Sequence, residues 1–147
     1  MFHEEFTVGR RFVTGTRTVT AADVRQFAEL SGDRNAIHLD DTAARDAGFP
    51  GVVAHGALGL SIATGLASGL ELTAGTLIAL AAITWRFRAP VRPGDRVTLA
   101  LAVTSTRTTG KPDRGVVVLA AELRNQDGVV VQDGEFVEIV KRRPAHG

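Results

Sequence analysis

At 147 residues, 44% of them hydrophobic, the chain is long enough for one domain, residues 1–147, that buries roughly two-thirds of the surface its unfolded form exposes. A net charge of +1, from 17 basic and 16 acidic residues spread along the chain, excludes the broad positive field of a nucleic-acid binder. The lack of cysteine excludes disulfides, thiolate metal ligands and a cysteine nucleophile, and fits a reducing cytoplasm.

The opening Met1-Phe2-His3-Glu4-Glu5 carries early acids and no apolar run, unlike a secretory signal, so a cytoplasmic location is expected. His3 and His146 sit near the ends, where disorder is common. Phe12, Val13 and Val19 mark a first, less regular strand. Thr20-Ala21-Ala22-Asp23 resembles a capping box and opens a short helix whose Val24, Phe27 and Ala28 share a face; it ends at Ser31-Gly32. A second short helix starts near Asp40 or Asp41 and stops at Gly48, before Pro50.

From Gly56 to Leu70 the chain is uncharged and apolar. As a helix this stretch is about 22 Å long, short of a membrane crossing, so a buried core helix is expected and no membrane partner. Leu58, Ile62, Leu66 and Leu70 recur every fourth residue, while Gly59, Ala63, Gly65, Ala67 and Gly69 keep the remaining surface small. Such a helix can be closely wrapped, and because glycine disfavours helix by about 1 kcal/mol relative to alanine, tertiary packing must hold it.

Period-two alternation then marks strands. Ile83, Trp85 and Phe87 form the first of these, with Trp85 and Phe87 read as core or as walls of an acyl tunnel; Val97, Leu99, Leu101 and Val103 form the next. Val117, Leu119, Ala121 and Leu123 make another, and Val129 to Val140 the last, with a bulge expected at Asp133-Gly134. Arg92-Pro93-Gly94-Asp95, Gly110-Lys111-Pro112-Asp113 and Asn125-Gln126-Asp127-Gly128 are turn chemistry between them. Lys141-Arg142-Arg143 reads as a solvated end. Helices ahead of one antiparallel sheet make an α+β domain.

Chemistry concentrates in Ser31-Gly32-Asp33-Arg34-Asn35-Ala36-Ile37-His38, answered by Ala54-His55-Gly56 at the mouth of the apolar helix. Asp33 and His38 lie five residues apart on turn-forming sequence, a spacing that can hold and polarise one water. Asp and Asn also serve as plain turn and cap residues, and His38 is what lifts the segment above that reading.

The run Phe27 to His38 resembles the signature of the MaoC-like, R-specific enoyl-CoA hydratases, and Ala54-His55-Gly56 resembles that family's next motif. The resemblance covers nearly the whole chain, with Ala36 standing where the family usually has proline. It implies a hotdog fold, about five antiparallel strands around a central helix, and hydration of trans-2-enoyl thioesters without cofactor or metal. It also implies that Asp33 and His38 are the catalytic pair and that backbone amides around His55-Gly56 bind the thioester oxygen. That division suits the chemistry, because water addition needs one group to take a proton as oxygen attacks C3, a proton source for C2, and fixed donors for the enolate oxygen. The preferred division has Asp33 as the base and His38 as its partner in returning a proton, with the roles exchanged or shared as the alternative. Asn35 fixes the turn or orients Asp33; Ser61 either adds a hydrogen bond in the site or simply packs. His55 either caps the helix as a satisfied side chain or joins the chemistry.

Metal ligation by His38, His55, Asp40 and Asp41 lacks the helical spacing that places ligands on one face, and no metal is expected. Gly56-Ala57-Leu58-Gly59 lacks the lysine and preceding strand of a P-loop, so a nucleotide would enter only as the handle of a CoA thioester; the alternative carrier is acyl carrier protein. Arg34, Arg45, Arg86, Arg88 and Arg92 are candidate phosphate contacts. One sheet around one helix leaves an edge uncovered, so a homodimer or dimer of dimers is expected. A hotdog thioesterase and a non-catalytic acyl-binding subunit are the competing readings.

Overall fold

Alternation in the second half of the chain folds into a five-stranded antiparallel sheet in the computed structural model, which describes residues 1–144; His146 lies outside them. In chain order the elements are β1 (Arg11–Thr18), α1 (Ala21–Ser31), α2 (Asp41–Asp46), α3 (Gly56–Gly69), β2 (Leu77–Phe87), β3 (Arg96–Thr108), β4 (Arg114–Arg124) and β5 (Val130–Lys141), with 3-10 turns at His3–Glu5 and Ala36–His38. The sheet order is β1-β3-β4-β5-β2, so β1 and β2 are its edges. Leu99, Leu101, Val103, Val117, Leu119 and Leu123 are all buried, and with Leu58, Ile62 and Ala63 of α3 they form one core. Each such side chain contributes about 1.5–3 kcal/mol relative to exposure, which offsets the poor helix propensity of a glycine-rich α3. The result is the α+β hotdog arrangement, a sheet curled around one helix. Among the described residues no helix is long and apolar enough to cross a membrane.

The expected helix ends hold in detail. Thr20 accepts the Asp23 amide at 3.0 Å while the Asp23 carboxylate accepts the Thr20 amide at 2.9 Å, a complete capping box. These bonds, that from the Thr20 amide foremost, hold the Asp23 carboxyl below its ordinary range. Gly32 closes α1 at φ +77°, a conformation where a side chain would be strained.

Four expectations change. β2 begins at Leu77, six residues ahead of Ile83, because Leu77 to Ala82 is apolar without alternation and carries no period to read. Pairing runs unbroken through Asp133-Gly134 on both sides, so no bulge lies there; the irregular register is in β2, between Leu77 and Ala79 and between Leu80 and Ala82, and in β5 between Val130 and Gln132, opposite Arg124 and Leu123. His3 is buried rather than frayed, its ring lying on Gly115 where a side chain would collide with it. Lys141-Arg142-Arg143 is a tether instead of a free end: Arg142 pairs with Glu4 at 2.9 Å, Arg143 with Glu5 at 3.3 Å, and the Lys141 ammonium donates to the Gly75 carbonyl.

Candidate active site

After Gly32 turns the chain out of α1, the loop is shaped by its own side chains. The Asp33 amide donates to Ser31 Oγ at 3.1 Å, the Asn35 amide to Asp33 Oδ1 at 3.2 Å, and the Ile37 amide to Asn35 Oδ1 at 3.3 Å. Asn35 therefore caps the short turn that carries His38, and it steadies the Asp33 carboxylate through its backbone rather than its side-chain amide. The opposing segment is pinned to the same loop. Asp41 accepts the Val52 amide at 2.8 Å, Ile37 accepts the Val53 amide, and Val91 accepts the Ala54 amide. Asp40 caps α2 by accepting the Thr42 amide at 2.8 Å.

His38 is nearly enclosed, and its Nδ1 lies 2.7 Å from the Val53 carbonyl. A carbonyl only accepts, so Nδ1 carries the hydrogen, and in the neutral ring Nε2 is left as the acceptor. That Nε2 faces Asp33 Oδ2 at 4.0 Å. His55, 2% exposed, donates from Nε2 to the Asp33 carbonyl at 2.8 Å and stacks on His38 with ring centroids 3.8 Å apart. Phe27 of α1 meets the His55 ring edge-on at 5.0 Å. One ring thus fixes the backbone of Asp33 and the plane of His38 together.

Asp33, His38 and His55 offer ligand atoms within 4.8 Å of one another, a grouping that invites a metal. The two rings stack at 26°, and His38 Nδ1 and His55 Nε2 each face a backbone carbonyl, so only His38 Nε2 and His55 Nδ1 are left as ring acceptors.

Behind this cluster begins α3. The Leu58 and Gly59 amides bond to the His55 carbonyl, while those of Gly56 and Ala57 have no partner among the described residues, as helix geometry requires of the first turn. A cleft of about 570 Å³ brings His38, Gly56 and Ala57 together with Phe87, Gln132 and Pro90. Phe87 is 61% exposed, so it is a wall of this cleft and not core. Trp85 is half-buried and stacks on Phe136 at 5.4 Å. Ser61 is not among the walls: it lies exposed one turn past Ala57, its hydroxyl donating to the Ala57 carbonyl at 2.8 Å. At the mouth, Arg86 and Arg88 share Asp133 at 3.1 and 3.2 Å, and the Arg88 bond foremost holds that carboxyl below its ordinary range. Arg34 is taken by Glu29 at 2.7 Å.

Sequence reasoning missed Gln132. It is 2% exposed on β5, accepts the Trp85 indole N–H at 2.8 Å and donates to the Gly56 carbonyl at 3.2 Å. The available signal was its phase in the alternation of β5, which places Gln132 on the same face as Gly134 and Phe136.

Comparison with known proteins finds relatives over most of the chain. A family model described as MaoC like domain matches residues 4–124. The (R)-specific enoyl-CoA hydratase of Aeromonas caviae is 35% identical over 117 residues, 80% of this chain and 83% of that protein. Protein MaoC of Klebsiella aerogenes is 37% identical over 116 residues, 77% of this chain but 33% of that much longer protein. The crystal structure of the MaoC-like dehydratase from Rhodospirillum rubrum superposes with a TM-score of 0.89 at 33% identity, covering 98% of this chain and 99% of that one.

Proposed function

Since the chain belongs to the MaoC-like domain family, we propose that it hydrates trans-2-enoyl thioesters to R-3-hydroxyacyl thioesters and runs the reverse dehydration. The observation that carries this reading is the 4.0 Å gap between His38 Nε2 and Asp33 Oδ2. It is too long for a direct hydrogen bond and suits a bridging water about 2.8 Å from each, which donates one hydrogen to either side and keeps an oxygen lone pair for C3. As the C3–O bond forms, Asp33 takes a proton from the water, and the Asp33–His38 pair delivers one to C2 on the same face. The net change is one water added and the pair restored. Negative charge moves onto the thioester oxygen meanwhile, and the free amides of Gly56 and Ala57, at the positive end of the α3 dipole, meet it. His55 holds Asp33 and His38 in place and does not itself touch the water.

The test is crotonyl-CoA, followed at once for loss of enoyl absorbance and for release of free thiol. Hydration without thiol is expected. Thiol release would move the chain to the thioesterases, and silence in both would leave an acyl-binding subunit. The carrier, CoA or acyl carrier protein, is read from the ratio of kcat/KM for the two crotonyl thioesters.

The working unit is a homodimer or a dimer of dimers joined through β2. Leu80, Ile83 and Phe87 lie opposite Glu138, Phe136 and Gln132 of β5 and so share the inner face of the sheet, yet they are 41%, 38% and 61% exposed. This apolar stripe borders a strand edge with unpaired amides and carbonyls, the pairing that a second copy about a two-fold axis completes. Light scattering is expected to give the mass of two or four chains, and Ile83→Lys, which sets a charge on that edge, to shift it toward one. A wild-type monomer at micromolar concentration sinks the assembly.

A further inference from the structure

Gln132 is a buried amide on β5, in phase with the buried Gly134 and Phe136, and burial at such a position is unfavourable unless its hydrogen bonds are made. Both are made, and their direction is fixed. The Trp85 indole can only donate, so Gln132 Oε1 faces it at 2.8 Å, which turns the Gln132 NH₂ toward the Gly56 carbonyl at 3.2 Å. The indole is held in turn by its stack on Phe136. Contact reinforces the grip. A Cβ on Gly59 would run into the Gln132 amide, with its Cδ at 2.7 Å, and a Cβ on Gly56 would stand 2.6 Å from the Phe87 ring. The first turn of α3 is therefore pressed against the sheet at two glycines and tied to it by one hydrogen bond.

The Gly56 carbonyl belongs to the same peptide unit as the Ala57 N–H, one of the two free donors in the cleft. A hydrogen bond accepted at a peptide oxygen polarises the unit and strengthens its N–H as a donor. We infer that Gln132, oriented by Trp85, is a positioning residue for the enolate-binding end of α3: it polarises and fixes the peptide whose amide meets the thioester oxygen. This rests on the hydratase reading above. Because charge on that oxygen grows only as the C3–O bond forms, the link acts on the transition state, so it sets kcat and leaves KM nearly alone.

The test uses the full chain with crotonyl-CoA. Gln132→Met keeps the volume and loses both bonds; kcat is expected to fall about tenfold, less than the 10²–10³ lost with an enolate donor itself, and KM to stay within about twofold. Trp85→Phe keeps an aromatic ring against Phe136 while losing the donor and part of the indole's bulk, and serves as the second variant should Gln132→Met fail to fold; a three- to tenfold fall in kcat is expected. The double variant should be no slower than Gln132→Met alone, since the two residues act as one chain. Amide resonances supply a readout independent of turnover: the Ala57 N–H should shift in both single variants, and the lone Trp85 indole N–H should shift in Gln132→Met. Wild-type kcat in a folded Gln132→Met or Trp85→Phe, or an unmoved Ala57 amide, overturns the inference. Should the wild-type chain hydrate no enoyl thioester, the functional reading fails by itself, and the Ala57 resonance still decides whether Gln132 controls that peptide.

Discussion

Asp33→Asn is expected to slow crotonyl-CoA hydration about 10³-fold while KM stays within about twofold. The substitution is nearly isosteric, and an asparagine oxygen can still accept the Asn35 amide, so the turn that Asp33 shapes survives. What is lost is the group proposed to take the proton. Asn also turns one acceptor into a donor, so the bridging water no longer finds two acceptors 4.0 Å apart. His38 is the less clean target, because removing its ring also leaves the Val53 carbonyl without its partner and strips the stack from His55. His38→Gln should therefore reduce kcat by a similar factor and lower thermal stability as well. On the proposed mechanism both groups act on one water, so the double variant should be about as slow as the slower single one. Retention of more than about a tenth of wild-type kcat by a folded Asp33→Asn would falsify the assignment.

How much of this was legible in the sequence follows from the range of the interactions. The α1 capping box, the Gly32 stop and the Asp33–His38 turn are made by neighbours within a few residues, and their spacing can be read directly. The sheet was legible as alternation, which tells which residues share a face but not what covers that face. Phe87 alternates correctly and is still exposed: one edge of its ring lies against Gly56 at the start of α3, and the rest borders the open cleft. The buried place of His3 depends on Gly115, and the bonds of Gln132 on Trp85 and Gly56, partners that lie far along the chain. The same holds for Gly134. A glycine in a strand signals either a bulge or a close approach of another group, and local sequence does not say which.

Gly134→Ala decides between those two meanings and is expected to give the largest loss of stability, about 3 kcal/mol, the upper end of core overpacking. Gly134 faces Trp85 across the β2–β5 pair. An added Cβ would collide with the Thr84 carbonyl oxygen and stand 2.8 Å from both the Thr84 carbonyl carbon and Trp85 Cε3. Backbone cannot step aside as a flexible side chain can, so β2 must part from β5, its one neighbour among the described residues. The indole would be pushed off Phe136 at the same time, which links this position to the Gln132 hydrogen bond and hence to the cleft. Gly65→Ala is the matched control: it adds the same methyl group on α3 with nothing within 4 Å, and should gain about 0.5–1 kcal/mol from helix propensity. Urea unfolding measures both, with the midpoint falling for Gly134→Ala and rising for Gly65→Ala at constant slope. A Gly134→Ala protein within about 0.5 kcal/mol of wild type would mean that β2 yields easily there, and that the indole over Gly134 is not held by close packing.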